Sequence, residues 1–135
     1  MTRIASAFAL GFALALASIA PSRAEESVSV ADKAALQAAM QQHIDRTVVN
    51  GVWHKVDWGS GKTRTLHPAS AHPMIVKLFD HYVLCTDFRD EKGNGVNADF
   101  YLARRGKGFV VFQTEIDNRG PLIKLWRDGK AVHLH

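Results

Sequence analysis

One change of rhythm constrains this chain more than any other feature. A single stretch carries helical spacing, and after Asn50-Gly51 only short, turn-divided segments follow. Leu36, Met40 and Ile44 recur every four residues, with Ala39 and Val48 on the same side. Gln37, Gln41, Gln42, Asp45 and Arg46 lie around the rest. That stripe predicts an amphipathic helix packed on a sheet. Asp32 is placed to cap its start, because a carboxylate accepts bonds from the first free N–H groups of a helix. Asn50 and Gly51 tolerate left-handed backbone angles and are placed to stop it.

Beyond Gly51 the spacing predicts strands over 52–58 and 62–66, turned by Gly59-Ser60-Gly61. Residues 67–73 are predicted as a loop, because Pro68 and Pro73 lack a donor for a sheet ladder. Strands are expected over 74–79 and 82–88, with a tight turn at Asp80-His81. Others are expected over 98–104 and 109–116, joined through Gly106-Lys107-Gly108. The segment Lys92-Gly93-Asn94-Gly95 reads as a hairpin loop. Residues 122–126 and 130–134 flank Asp128-Gly129, a type I′ hairpin signal. The fold class is therefore α+β: one N-terminal helix on an antiparallel β-meander of about five to seven strands. In outline this order resembles the cystatin-like and NTF2-like folds, which implies a bent sheet wrapping a helix. Folds of that kind host enzymes, inhibitors and binding modules alike, so fold does not decide function.

Residues 1–24 read as a cleavable secretory signal. Arg3 precedes an apolar stretch over 7–17, and Pro21 and the small residues Ser22 and Ala24 follow. The stretch is shorter than the ~20 residues that span a bilayer, so no membrane anchor is expected after cleavage. Residues 1–24 hold no twin-arginine pair, which favours the general secretory route and a periplasmic or secreted protein. Residues 25–31 are then a short lead-in and 32–135 a single domain. The sole cysteine, Cys85, excludes an internal disulfide, so the core must hold the domain alone. Of the 17 Lys and Arg, Arg3 and Arg23 leave with the signal, against 13 Asp and Glu. That balance is too even to point to nucleic acid or to an anionic membrane.

Strand alternation yields one polar sheet face. Asp87 shares a side with Val83 and Cys85, Asp99 with Tyr101, and Gln113 with Glu115. A three-residue loop at Gly106-Lys107-Gly108 would pair Leu102 with Phe112, Phe100 with Thr114 and Tyr101 with Gln113, keeping the faces segregated. Asp99 then stands opposite Glu115, and opposed like charges are destabilising. Lys124, Arg89 or Arg119 could relieve them, as could a raised carboxyl pKa or a metal.

Other motifs carry less. Gly61-Lys62-Thr63 lacks the glycine that a phosphate loop needs five residues earlier, where Val56 stands. Asp90, Asn94 and Gly95 fall short of a calcium loop, since Lys92 and Tyr101 occupy ligand positions. Cys85 and His81 are about 13 Å apart along a straight strand, too far for a thiol–imidazole pair. The seven histidines are His43, His54, His67, His72, His81, His133 and His135. They show no specific metal spacing beyond His133-x-His135, so no metal or cofactor is expected. Trp53, Trp58 and Trp126, with Tyr82 and Tyr101, read as core and sheet-edge packing rather than as a pocket lining.

These readings lead to an expected function. The chain is an exported binding module, monomer or homodimer. It holds a small molecule or an extracytoplasmic protein on the face of Asp87, Asp99, Tyr101, Gln113 and Glu115. One alternative is a hydrolase or isomerase with Asp99 or Glu115 as general acid or base. Another is a histidine-based metal carrier.

Overall fold

The computed structural model describes residues 27–134. The expected signal over 1–24 and the C-terminal His135 lie outside them. The described chain is α+β, as expected, with a principal helix against an antiparallel sheet. In chain order the elements are α1 (Val30–Thr47), β1 (Trp53–Val56), β2 (Thr63–Leu78), β3 (His81–Arg89) and β4 (Gly95–Arg105). Then come β5 (Gly108–Ile116), α2 (Gly120–Arg127) and β6 (Ala131–Leu134). The sheet runs β1-β2-β3-β4-β5, and β6 lies beside the C-terminal half of β2. No described helix is long and apolar enough to cross a membrane.

The stripe on α1 packs as its spacing predicts: Leu36, Met40 and Ile44 are buried, and Ala39 and Val48 pack beside them. The helix starts earlier than expected. Ser29, not Asp32, is the cap, and its Oγ accepts the Asp32 N–H at 3.0 Å. Serine at the cap with an acid three residues on is the pattern of a capping box. The Asp32 carboxylate meets Arg104 of β4 at 2.8 Å instead. Asn50 and Gly51 are left-handed, with φ of 54° and 78°. They do not cap the helix, which ends at Thr47. They close a two-residue turn in which Val49 and Val52 exchange both backbone bonds.

The largest departure is β2. Residues 67–73, expected as a loop, belong to a single 16-residue strand that runs through both prolines. Its pairing with β3 shifts between Pro68 and Ser70 and again between Ala71 and Ile75. On its other side β1 pairs only as far as Leu66, and β6 begins only at Ile75. Both prolines fall in this one-sided stretch, where a missing donor leaves no central ladder broken. The strand carries through to Leu78. The turn to β3 is made by Phe79 and Asp80, one residue before the expected Asp80-His81, with Phe79 at a φ of 55°.

Residues 122–126, expected as a strand, form α2. Pro121 suits the first helical turn, and Leu122, Leu125 and Trp126 have helical spacing. Asp128-Gly129 is not a hairpin. Gly129, at φ 68°, donates to the Trp126 carbonyl and Lys130 to that of Leu125, the double bond of a Schellman stop. β6 therefore pairs with β2 rather than with its chain neighbour.

The two faces of the sheet are both packed. On the inner face, α1 meets Trp53, Leu66, Leu84, Phe88, Phe100 and Leu102. On the outer face, Leu122 of α2 closes over Val76, Val83, Tyr101 and Ala131. The sheet curls so strongly that Lys55 on β1 donates to the Ile116 carbonyl on β5 at 2.8 Å, although three strands separate them in the order.

Candidate functional site

The register of β4 and β5 decides what the outer face displays. Asp99 is opposite Glu115, Phe100 opposite Thr114 and Tyr101 opposite Gln113, as expected. Leu102 is not opposite Phe112. It pairs with Val111, and the turn is the two-residue Gly106-Lys107 with Arg105 opposite Gly108. A bulge at Phe112 reconciles the two halves, because one extra residue on β5 restores the faces that the shorter turn would have exchanged. Phe109 and Val111, which strict alternation would set on the side of Gln113 and Glu115, pack on the inner core. Phe112, expected inside, is half-exposed, with its ring 4.9 Å from His81 and 6.5 Å from Tyr101.

The opposed acids are relieved by Arg119, the residue just before α2. Its Nη2 lies 2.6 Å from Asp99 Oδ1, and its Nε is 3.2 Å from both carboxylate oxygens. The Cys85 thiol donates to Asp99 Oδ1 at 3.0 Å. Asp99 is only 1% exposed. Lys124, another proposed partner, pairs with Asp128 instead. Burial first, and then the hydrogen bond to Asp99, pushes the Cys85 pKa up to about 12, so the thiol is inert at neutral pH. Burial likewise raises the Tyr101 phenol, with Asp99 and Glu115 adding to the shift.

The five residues expected on one face are thus split among different environments. Asp99 is sealed beneath Arg119, and Tyr101 belongs to the small core under α2. Asp87 is paired with His72, Oδ2 to Nε2 at 2.9 Å. Asn97, opposite Asp87, has both side-chain polar atoms buried without a hydrogen-bond partner. Gln113 and Glu115 remain nearer solvent, where Glu115 accepts from Gln113 at 2.7 Å and from Asn118 at 2.8 Å. Because the oxygens of Asp99 are taken by Arg119 and Cys85, Glu115 is the less enclosed acid of the opposed pair.

Glu115 borders a cleft of about 440 Å³ between the converging edges β1 and β5. Trp53, Lys55 and Trp58 line one side, and Thr114, Ile116 and Asn118 join Glu115 on the other. Trp53 is 7% exposed and forms part of the core wall, in edge contact with Phe88 and Phe100. Trp58 is 90% exposed. It rides on a turn organised by Asp57, whose Oδ1 accepts the Gly59 N–H at 2.9 Å and whose backbone bonds Gly61 and Lys62. The Gly59 and Ser60 N–H groups, which both donate to that carboxylate, hold the Asp57 carboxyl below its ordinary pKa. Lys55, Trp58 and Asn118 were not among the expected site residues. Trp58 was read as the end of a strand over 52–58 with a packing role, but β1 ends at Val56 and leaves Trp58 exposed on the turn.

Among the described residues the histidines do not converge. His43 lies against Trp53, His81 against Phe112 and His133 against Trp126. Among the described residues no three His, Cys, Asp or Glu stand close enough to hold a metal ion. Comparison with protein families, with characterised proteins and with solved structures gives no match.

Proposed function

We propose that this protein is an exported binding module whose ligand is a small molecule held in the cleft between β1 and β5. The observation that carries this reading is Trp58: a large aromatic ring almost wholly in water, on an ordered turn, beside a cleft that also offers Lys55, Glu115, Thr114 and Asn118. Tryptophan is seldom left exposed, because its ring favours removal from water. Few polar groups converging on an apolar wall are the usual composition of a ligand site. The site keeps Glu115 from the expected polar face and moves its centre toward the sheet edge. Binding, rather than acid–base chemistry, suits an open cleft in which the buried acid nearby is already matched by Arg119.

The test is a soluble fragment mixture with neutral, cationic and anionic members, added to ¹⁵N-labelled protein lacking residues 1–24. Amide shifts should gather at Lys55, Trp58, Glu115 and Asn118. Fragments that bind elsewhere, or nowhere, would refute the assignment. Export is tested separately, since the secreted chain should begin at Glu25 on N-terminal sequencing.

A further inference from the structure

We infer that the ligand class of this cleft is a neutral glycan, recognised by stacking of a pyranose ring on Trp58; the inference rests on the cleft being a binding site. Lys55 supplies one cation and Glu115 one anion, so the lining has no net charge. Lys55 already donates to the Ile116 carbonyl, and Glu115 accepts from Gln113 and Asn118. An anionic ligand would meet Glu115, and a cationic one would meet Lys55. Phosphate recognition calls for clustered basic groups or arginine forks, and the lining has neither.

Shape narrows the choice further. A quaternary ammonium is held in a cage of several aromatic faces. Here one ring is presented freely: Trp58 is 90% exposed, whereas Trp53 is 7% exposed and built into the core. One open aromatic platform suits a ligand that is apolar on one flat side and polar around its rim. A pyranose has that form. Its axial C–H bonds carry partial positive charge toward the negative ring face. Its equatorial hydroxyls both donate and accept, and so match the mixed set of the Asn118 amide, Thr114 hydroxyl, Lys55 ammonium and Glu115 carboxylate. The cleft lies between two sheet edges rather than in a closed cavity, so an internal residue of a chain can occupy it.

The experiment titrates labelled protein with neutral hexaoses of glucose, xylose and N-acetylglucosamine, and with charged hexaoses of galacturonate and glucosamine. At least one neutral hexaose should shift the resonances of Trp58, Lys55 and Asn118 and bind more tightly than either charged oligomer. Trp58→Ala should weaken that binding about tenfold or more, the loss expected when a central aromatic contact is removed. Trp126→Ala, on α2 against His133, should leave it unchanged. Trp58 is so exposed that its removal should not unfold the protein, which thermal unfolding of the variant checks. If fragments bind the cleft but no neutral hexaose does at up to about 10 mM, the glycan class is wrong while the site stands. Preference for a charged oligomer, or full binding by Trp58→Ala, also overturns it. Silence from fragments and sugars together removes the site itself.

Discussion

Replacing Arg119 by methionine should strongly destabilise this protein. Methionine keeps an unbranched apolar stem and removes the guanidinium fork that holds Asp99. Asp99 is 1% exposed and, among the described residues, would keep only the Cys85 thiol as a side-chain partner. Breaking a buried ion pair from one side costs about 3–5 kcal/mol, because the remaining charge is left desolvated. The Arg119 side chain is 33% exposed, so water can enter part of the space it vacates. The expected loss is therefore about 2–3 kcal/mol, reduced from the fully buried figure by solvent screening. In a domain of this size that is roughly 10–20 °C in Tm. A typical reserve of about 5–15 kcal/mol leaves the variant folded. Urea unfolding at pH 7, followed by tryptophan fluorescence, measures it. Asp99→Asn combined with Arg119→Met should recover much of the loss, giving a coupling of about 1–2 kcal/mol. A loss below about 1 kcal/mol, or a double variant as unstable as the sum of the singles, would refute the pairing argument.

Three further outcomes follow from other positions. The Cys85 thiol, with a folded pKa of about 12 against an ordinary value of 9.0, stabilises the fold fully below pH 9. That contribution is lost as pH rises from 9 toward 12, because unfolding releases the thiolate, so Cys85→Ala should flatten the alkaline fall in stability; an unchanged slope counts against it. Gly129→Ala has open space for its methyl but a φ of 68°, and should cost about 1–2 kcal/mol in urea unfolding through backbone strain alone. Asn97→Leu replaces a buried amide without partners by an apolar group of similar size and should raise Tm, by about 1 kcal/mol in stability; a fall would mean the amide is matched in solution.

How much of this protein was legible in its sequence depends on the range of the forces involved. The stripe of Leu36, Met40 and Ile44 was readable because helical periodicity is local, and any core it meets must lie on that side. The opposition of Asp99 and Glu115 was expected from a three-residue turn that does not form, and it arises because a bulge offsets the two-residue one, so only the alternation of faces was readable. The bulge at Phe112 was not. It is selected by which β5 side chains fit against α1 on one face and beside Tyr101 on the other, and those neighbours are remote in sequence. Pro68 and Pro73 argued locally for a loop, yet β2 continues through them because only β3 borders that stretch.

The C-terminal segment and the site show the same division. Asp128-Gly129 has one local meaning, a left-handed glycine in a tight reversal, and it serves a hairpin or a helix stop equally well. Burial of Leu122 against Val76, Val83 and Tyr101 selected the helix. That helix brings Arg119 onto Asp99, which turned an expected open polar face into a sealed ion pair. The cleft is tertiary in origin as well, since β1 and β5 meet only when the whole sheet curls around α1. By itself, the sequence determined the α+β class and the core face of the main helix. Where the cleft opens was decided by packing among residues as far apart as Lys55 and Ile116, whose contact no local pattern records.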